Sequence, residues 1–372
     1  MKRLFDSINR KTFIIGVIIV MGFLVSGVLL VIYEHLANSL EDQRATERWS
    51  KHQAVSQISC YFPVNSGMNI DTLYGFQKNL DQYMIQSSIT TDSEHPDARL
   101  WASAYSAKSI LSVSNDRTTQ KVDAIGVGGD FFLFHPVQLI DGAYFSGQDV
   151  MQDYCLVDRE TAWKMFGATD IVGKYLQIGN VPHKIVGVYV REANQIYETA
   201  GLSEPTIFVS YDSLSKFGNI TEIENYEIVM PNPVKNFALH YVKEQLGDPD
   251  ETIEILENSS RFRKLRILRL LSETDSRSMR TKPMVYPYWE NVARGYENYL
   301  MIVLLSALIF SAIPMTLVVI CVIIAWRRKT WTMREVFNVG KDKLADGFDT
   351  WKDKYRLKKE ERAKERSWED EF

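Results

Sequence analysis

Gly167–Lys174, read GATDIVGK, comes nearest to a chemical motif in this 372-residue chain. A lysine behind two glycines is the composition of a loop that cradles phosphate with its backbone N–H groups. The spacing defeats it. Five residues separate the glycines where the nucleotide loop has four, and Tyr175 stands where a Ser or Thr must ligate magnesium. The six histidines (His35, His52, His95, His135, His183, His240) form no pair at helical spacing and no Cys/His ligand cluster. Each reads as a surface or internally satisfied side chain. Three cysteines are too few for a disulfide scaffold. Cys321 lies in an apolar span, and Cys60 and Cys155 sit in strand-like runs that leave both a bridge and two inert buried thiols open. There is no Gly-x-Ser-x-Gly elbow, and the acidic pair Glu222 and Glu224 is surface-like. Gly126–Gly129 with Asp130 reads as a backbone bend rather than a binding loop. The residues therefore point to no catalytic, metal or cofactor site, and the chain is expected not to be an enzyme.

The elements around that loop parse with little ambiguity. Tyr154–Val157 is a short apolar run of strand type. Asp158 is placed to cap a helix over Arg159–Phe166, with Glu160 in its first turn and Gly167 as its stop. Lys174–Ile178 and His183–Val190 then form a hairpin across the turn signal Gly179-Asn180. The glycines of the false phosphate loop thus serve caps and turns.

Elsewhere Leu36–Val55 reads as a helical stalk, and Ser56–Phe62 as a strand. Asp71 can cap a helix through Met84, whose Leu73, Phe76, Leu80 and Tyr83 fall at helical spacing. Arg99–Val113, Lys121–Val127, Thr206–Val209 and Tyr226–Met230 are strand-like. Phe237–Leu246 is an amphipathic helix ended by Gly247. A βαβ-type unit on each side of a β-rich insertion suggests two α/β halves enclosing a second lobe. Arg261–Leu271 alternates basic and apolar residues. It reads as a solvated helix face against the body, or as an amphipathic helix near the membrane surface.

Two stretches set the topology. Thr12–Tyr33 holds 22 residues without a charge and Asn298–Trp326 holds 29, each enough for the ~20 apolar residues of a spanning helix. The first is longer than the ~7–15-residue apolar region of a cleaved leader, so it is read as an uncleaved anchor despite the small pair Ala37 and Ser39. Lys2, Arg3, Arg10 and Lys11 precede the first span, and Arg327, Arg328 and Lys329 follow the second. The positive-inside rule then places both termini in the cytoplasm and residues 34–297 outside. Between residues 12 and 326 there are 35 acidic against 25 basic residues, an unfavourable balance for nucleic acid. Gly22 with Ser26, and Ala307 with Ser311, are small-xxx-small pairs that could face another helix, and Pro314 is expected to kink the second span.

GDFF (Gly129–Phe132), Leu139–Phe145 with Gly142, ETAWKMFG (Glu160–Gly167), DIVGKYLQIG (Asp170–Gly179) and KIVGVYV (Lys184–Val190) occur in this order within about 70 residues. Together they resemble the extracytoplasmic core domain of the MacB/FtsX-like permeases of ABC transport systems. The resemblance implies an α+β fold. Two transmembrane helices (12–33 and 298–326) flank an extracytoplasmic two-lobed domain, 34–297. It would consist of a discontinuous α/β lobe (about 50–117 and 204–260) and an inserted β-rich lobe (about 118–203). The fold residues it singles out are Gly129, Phe132, Gly142, Phe166, Gly167, Gly173 and Gly187.

It also implies function. In such systems a separate or fused ATPase drives paired permease subunits, so any ATP would be bound by a partner and this chain would carry no cofactor. Family permeases have three spans after the outer domain and this chain has one. A second membrane subunit or another copy of the chain would then complete the machine. The rival reading is a two-span sensor, scaffold or accessory protein that binds an envelope partner through its outer domain. The segments 1–11 and 327–372 would be cytoplasmic. In the second, Leu344, Phe348, Trp351 and Tyr355 share one helical face that would need the inner leaflet, another copy or a cytoplasmic subunit as its partner.

Overall fold

The computed structural model describes residues 10–50, 54–90, 98–147, 149–192, 194–247, 252–272 and 285–328. The expected tail face formed by Leu344, Phe348, Trp351 and Tyr355 lies outside them. The described chain belongs to two compact units, one of Gly27–Ala307 and one of the flanking segments to Ser26 and from Leu308. The first apolar stretch is helix α1, Arg10–Ala37. In place of a continuous helical stalk, a 3₁₀ turn at Glu41–Gln43 and the short helix α2, Ala45–Trp49, follow it. The second apolar stretch belongs to a helix of 41 residues, Tyr288–Arg328. At 1.5 Å per residue it is about 60 Å long, about twice the hydrocarbon core of a bilayer. Pro314 lies inside it.

Between these helices the chain runs β1 (Val55–Tyr61), α3 (Ile70–Gln86), β2 (Ala102–Ser114) and β3 (Thr119–Gly129). Then come α4 (Phe131–Phe134), β4 (Gln138–Gly142), β5 (Tyr154–Asp158), α5 (Arg159–Phe166), β6 (Tyr175–Ile178) and β7 (Val181–Val190). The last part comprises α6 (Gln195–Tyr197), β8 (Thr206–Ser210), α7 (Tyr211–Gly218), β9 (Asn225–Pro231), α8 (Phe237–Leu246), β10 (Glu254–Glu257) and α9 (Lys264–Arg269), before the long helix, α10. All ten strands join one sheet in the order β10-β1-β9-β2-β3-β8-β5-β7-β4, with β6 pairing β2 and β7. The pairs β3·β8 and β5·β7 are parallel. The two expected lobes share this sheet: the boundary near residue 118 is the β2–β3 hairpin turn, where Asn115 accepts from the N–H groups of Arg117 and Thr118.

Period-2 alternation buries both faces. Ile207 and Val209 of β8 point into the larger core with Leu80, Ile185 and Leu214, whereas Phe208 points the other way. That second core collects Phe131, Phe132 and Phe134 of α4 with Trp289 at the start of α10. α5 is capped at Asp158, whose carboxylate accepts from Thr161 N at 2.6 Å, and stops at Gly167 in the left-handed region (φ 68°). The α3 cap is Asn69, not Asp71: its side chain accepts from Thr72 N at 3.0 Å, and Asp71 falls in the first turn beside the helix dipole. Cys60 and Cys155 are both buried and free, which settles the open bridge in favour of thiols.

The residues singled out for the outer fold are spread along this frame. Phe132 is buried against Phe145 and Phe208, and Phe166 packs on the larger core. Gly173 N–H donates to the Ile185 carbonyl at 2.8 Å. Gly129, at φ 66°, ends β3 where a Cβ would sit 2.3 Å from the Ser103 carbonyl oxygen. Gly142 and Gly187 face each other in the β4·β7 pairing. In the flanking unit a Cβ on Gly22 would lie 2.9 Å from Pro314 Cγ, so the two span helices approach closely there.

Candidate coupling site at the base of the sheet

Arg261 is almost wholly buried, and it organises the site. The solvated helix face expected for Arg261–Leu271 therefore does not extend to its first residue. The loop after β10 turns the guanidinium inward, where Nη1 and Nη2 donate to the two carboxylate oxygens of Glu290 at 2.6 and 2.8 Å. Its Nε donates to Glu297 at 2.8 Å. Glu290, Arg294 and Glu297 stand at i, i+4 and i+7 on α10, the spacing that lines one face of a helix. Arg294 donates to Glu290 at 2.6 Å and to Glu254 of β10 at 2.7 Å. The Tyr61 hydroxyl of β1 donates to Glu290 at 3.0 Å. Tyr286 donates to Glu254 and lies under the Arg294 guanidinium at 3.9 Å.

The electrostatics follow from burial. Burial opposes the charge of Glu290, but Arg261 and Arg294 override it and hold the carboxyl below its usual range. Burial likewise opposes the Arg261 charge, and Glu290 with Glu297 keeps the guanidinium firmly protonated. A bidentate pair of this kind has fixed orientation as well as charge.

A second buried cluster adjoins the same base. His135, after α4, contacts Asp42 at 2.8 Å through Nδ1 and Glu227 of β9 through Nε2. Its ring packs against Trp289 at a tilt, with centroids 4.1 Å apart and planes 33° apart. Burial lowers the readiness of His135 to protonate, yet Glu227 and Asp42 raise its pKa to about 9. Ser59 donates to Glu227, and Asn258 donates to Ser59 at 2.6 Å. Arg48 of α2 donates to the Leu133 and Phe134 carbonyls at 2.7 and 3.0 Å. The segment leaving α1, α4, β1 and β9 are thereby joined through polar contacts, and the His135 ring adds the head of α10.

None of these residues stands out in the sequence. Arg261 is one cation in a basic run there, and His135 one of six scattered histidines. The usable signal is Glu290, Arg294 and Glu297 at helical spacing just before a long apolar stretch. Among the described residues no group of three or more His, Cys, Asp or Glu side chains is arranged to hold a metal ion.

Buried ion pairs thus join a mixed α/β domain to the head of α10, one of two helices long and apolar enough to cross a membrane. The chain belongs to the family of the MacB-like periplasmic core domain, whose model matches residues 12–239. It is thus a membrane protein of the ABC permease class with an extracytoplasmic domain. Over 66 residues (17% of the chain) it is 35% identical to the macrolide export ATP-binding/permease protein MacB of Chromobacterium violaceum. Over 76 residues (20% of the chain) it is 32% identical to MacB 2 of Aeromonas hydrophila subsp. hydrophila. These matches span only 10% and 12% of the relatives' own lengths. Among solved structures, the periplasmic region of MacB from Actinobacillus actinomycetemcomitans aligns with TM-score 0.38 and 12% identity over 60% of this chain and 94% of that one. The extracellular domain of the noncanonic ABC-type transporter YknZ aligns with TM-score 0.36 and 13% identity over 54% and 99%.

Proposed function

We propose that this chain is a non-catalytic membrane subunit of an ABC-type transport or mechanotransmission system, working with a separate ATPase that binds the nucleotide. It works together with a second membrane subunit or another copy of itself. Both termini lie in the cytoplasm, and residues 331–372 meet the ATPase, with Leu344, Phe348, Trp351 and Tyr355 as the contact positions. The observation that carries this reading is the ionic base of the sheet. Glu290 and Glu297 ride on the helix that continues into the second span, and Arg261 fixes them to the outer domain. A tilt of that helix must therefore move β1 and β10. Gly22 against Pro314 and the small residues Ser26, Ala307 and Ser311 are the helix-contact positions in this reading.

The test is extraction of the full chain in mild detergent after crosslinking, with mass-spectrometric identification of what accompanies it. An ABC ATPase recovered in stoichiometric amount, and lost on deletion of residues 331–372, is the expected result. Recovery of a monomer without any ATPase overturns the reading.

A further inference from the structure

Beside the ionic base lies a cavity of about 430 Å³, between the end of α1 and the segment Asn258–Leu265. Its height relative to a bilayer follows from packing. Ile267 and Leu270, at the end of α9, pack against Leu30, Leu300 and Leu304, which belong to the two uncharged stretches. The Tyr33 hydroxyl, at the last uncharged position of the first stretch, donates to the Phe262 carbonyl at 2.7 Å. α9 and the cavity mouth therefore sit at the boundary between hydrocarbon and headgroups.

Two kinds of side chain meet there. Tyr33, Ala37 and Phe262 line the apolar part, and Leu265 stands at the rim with 80% of its surface exposed. A leucine so placed is costly in water and at home against acyl chain. The polar part holds Arg44, Arg263 and Lys264. Arg44 is engaged by Glu47 at 2.5 Å and Lys264 by Glu34 at 2.5 Å. The exposed Arg263 guanidinium has no ion-pair partner among the described residues. Gln43 and Asn258 close the inner wall.

We propose that this cavity is a phospholipid site for the leaflet that faces the outer domain. Arg263 takes the phosphate, and Leu265 and Phe262 meet the upper acyl chain. The occupant is a lipid rather than a soluble anion because the cation and the exposed leucine flank one opening at bilayer height. A bound lipid would wedge between the end of α1 and the Arg261 loop, next to the ion pairs that hold α10. The site depends on residues 12–33 and 298–326 crossing a bilayer, but not on any ATPase, so its failure and that of the proposed function are separable.

The test uses the full chain, delipidated in dodecyl maltoside, with the thermal midpoint followed against added dioleoyl phosphatidylglycerol. Saturable stabilisation is expected. The half-effect concentration should rise roughly fivefold in Arg263→Gln, the factor for one cation at a membrane surface, and should also rise in Leu265→Ser. Both positions are exposed, so both variants should fold. Diolein, which lacks phosphate, should stabilise weakly, and inorganic phosphate should not stabilise at all. Equal response to diolein overturns the phosphate contact. Equal response to inorganic phosphate overturns the lipid, and unchanged titrations in both variants overturn the site.

Discussion

His135 shows how a single residue can carry a condition on the whole domain. It is fully buried between Asp42 and Glu227, and its pKa is raised to about 9 from an ordinary 6.5. A raised pKa means the folded state holds a proton that the unfolded state releases first. The stabilisation is therefore complete below about pH 6.5 and is lost as pH climbs through about 9. At 1.36 kcal/mol per unit, this amounts to about 3 kcal/mol. Thermal midpoints of the full chain in detergent should fall steadily across that window. In His135→Gln they should start lower and stay flatter, because glutamine has no proton to lose. Parallel slopes in parent and variant would sink the idea. The same residue marks a limit of sequence reading: nothing near His135 in the chain announces carboxylates that lie 93 residues before it and 92 after it.

At the scale of elements, what was legible was local. Asp158 caps α5 and Gly167 ends it, as their types and spacing required, because a cap is decided within one turn of chain. The hairpin Tyr175–Val190 followed from its turn signal in the same way. What failed depended on distance or on competition. Asn69 took the α3 cap from Asp71 because both side chains suit the task and tertiary packing chose the start. Arg261 reads as a surface cation because its partners are 29 and 36 residues away on another helix. Glycine positions allow a graded test of this frame. Gly167 adopts φ 68° with nothing within 4 Å of where a methyl would stand, so Gly167→Ala meets only the left-handed backbone penalty, about 1–2 kcal/mol. Gly142 adopts φ 85° at the β4 bulge, and there a Cβ would sit 2.1 Å from the Val186 carbonyl oxygen. Gly142→Ala must therefore displace β7 as well, and its cost should exceed that of Gly167→Ala. Chemical denaturation of the two variants checks the order, and equal losses would mean that β4 is free to shift away.

For the whole molecule, the question is why a domain should hold buried charges at its base when apolar residues would hold it as well. Removing one partner of a buried ion pair costs about 3–5 kcal/mol, whereas replacing the whole set by uncharged groups of similar size is often neutral. Stability alone therefore does not account for Arg261, Glu290 and Glu297. Their geometry does more than hold: the bidentate contact fixes the angle between α10 and the loop after β10, which a greasy contact would let slide. The two roles can be separated. Arg261→Met alone should lower the unfolding midpoint sharply, because Glu290 and Glu297 stay buried without the cation that bridges them. Arg261→Met combined with Glu290→Gln and Glu297→Gln should recover most of that loss. If the base transmits motion, the recovered triple variant will still fail as a coupler. In the proposed assembly with an ATPase, hydrogen exchange at Val55–Tyr61 and Glu254–Glu257 should change on nucleotide binding in the parent and stay constant in the triple variant. A nucleotide response that survives in the triple variant would reduce the ion pairs to a structural clamp.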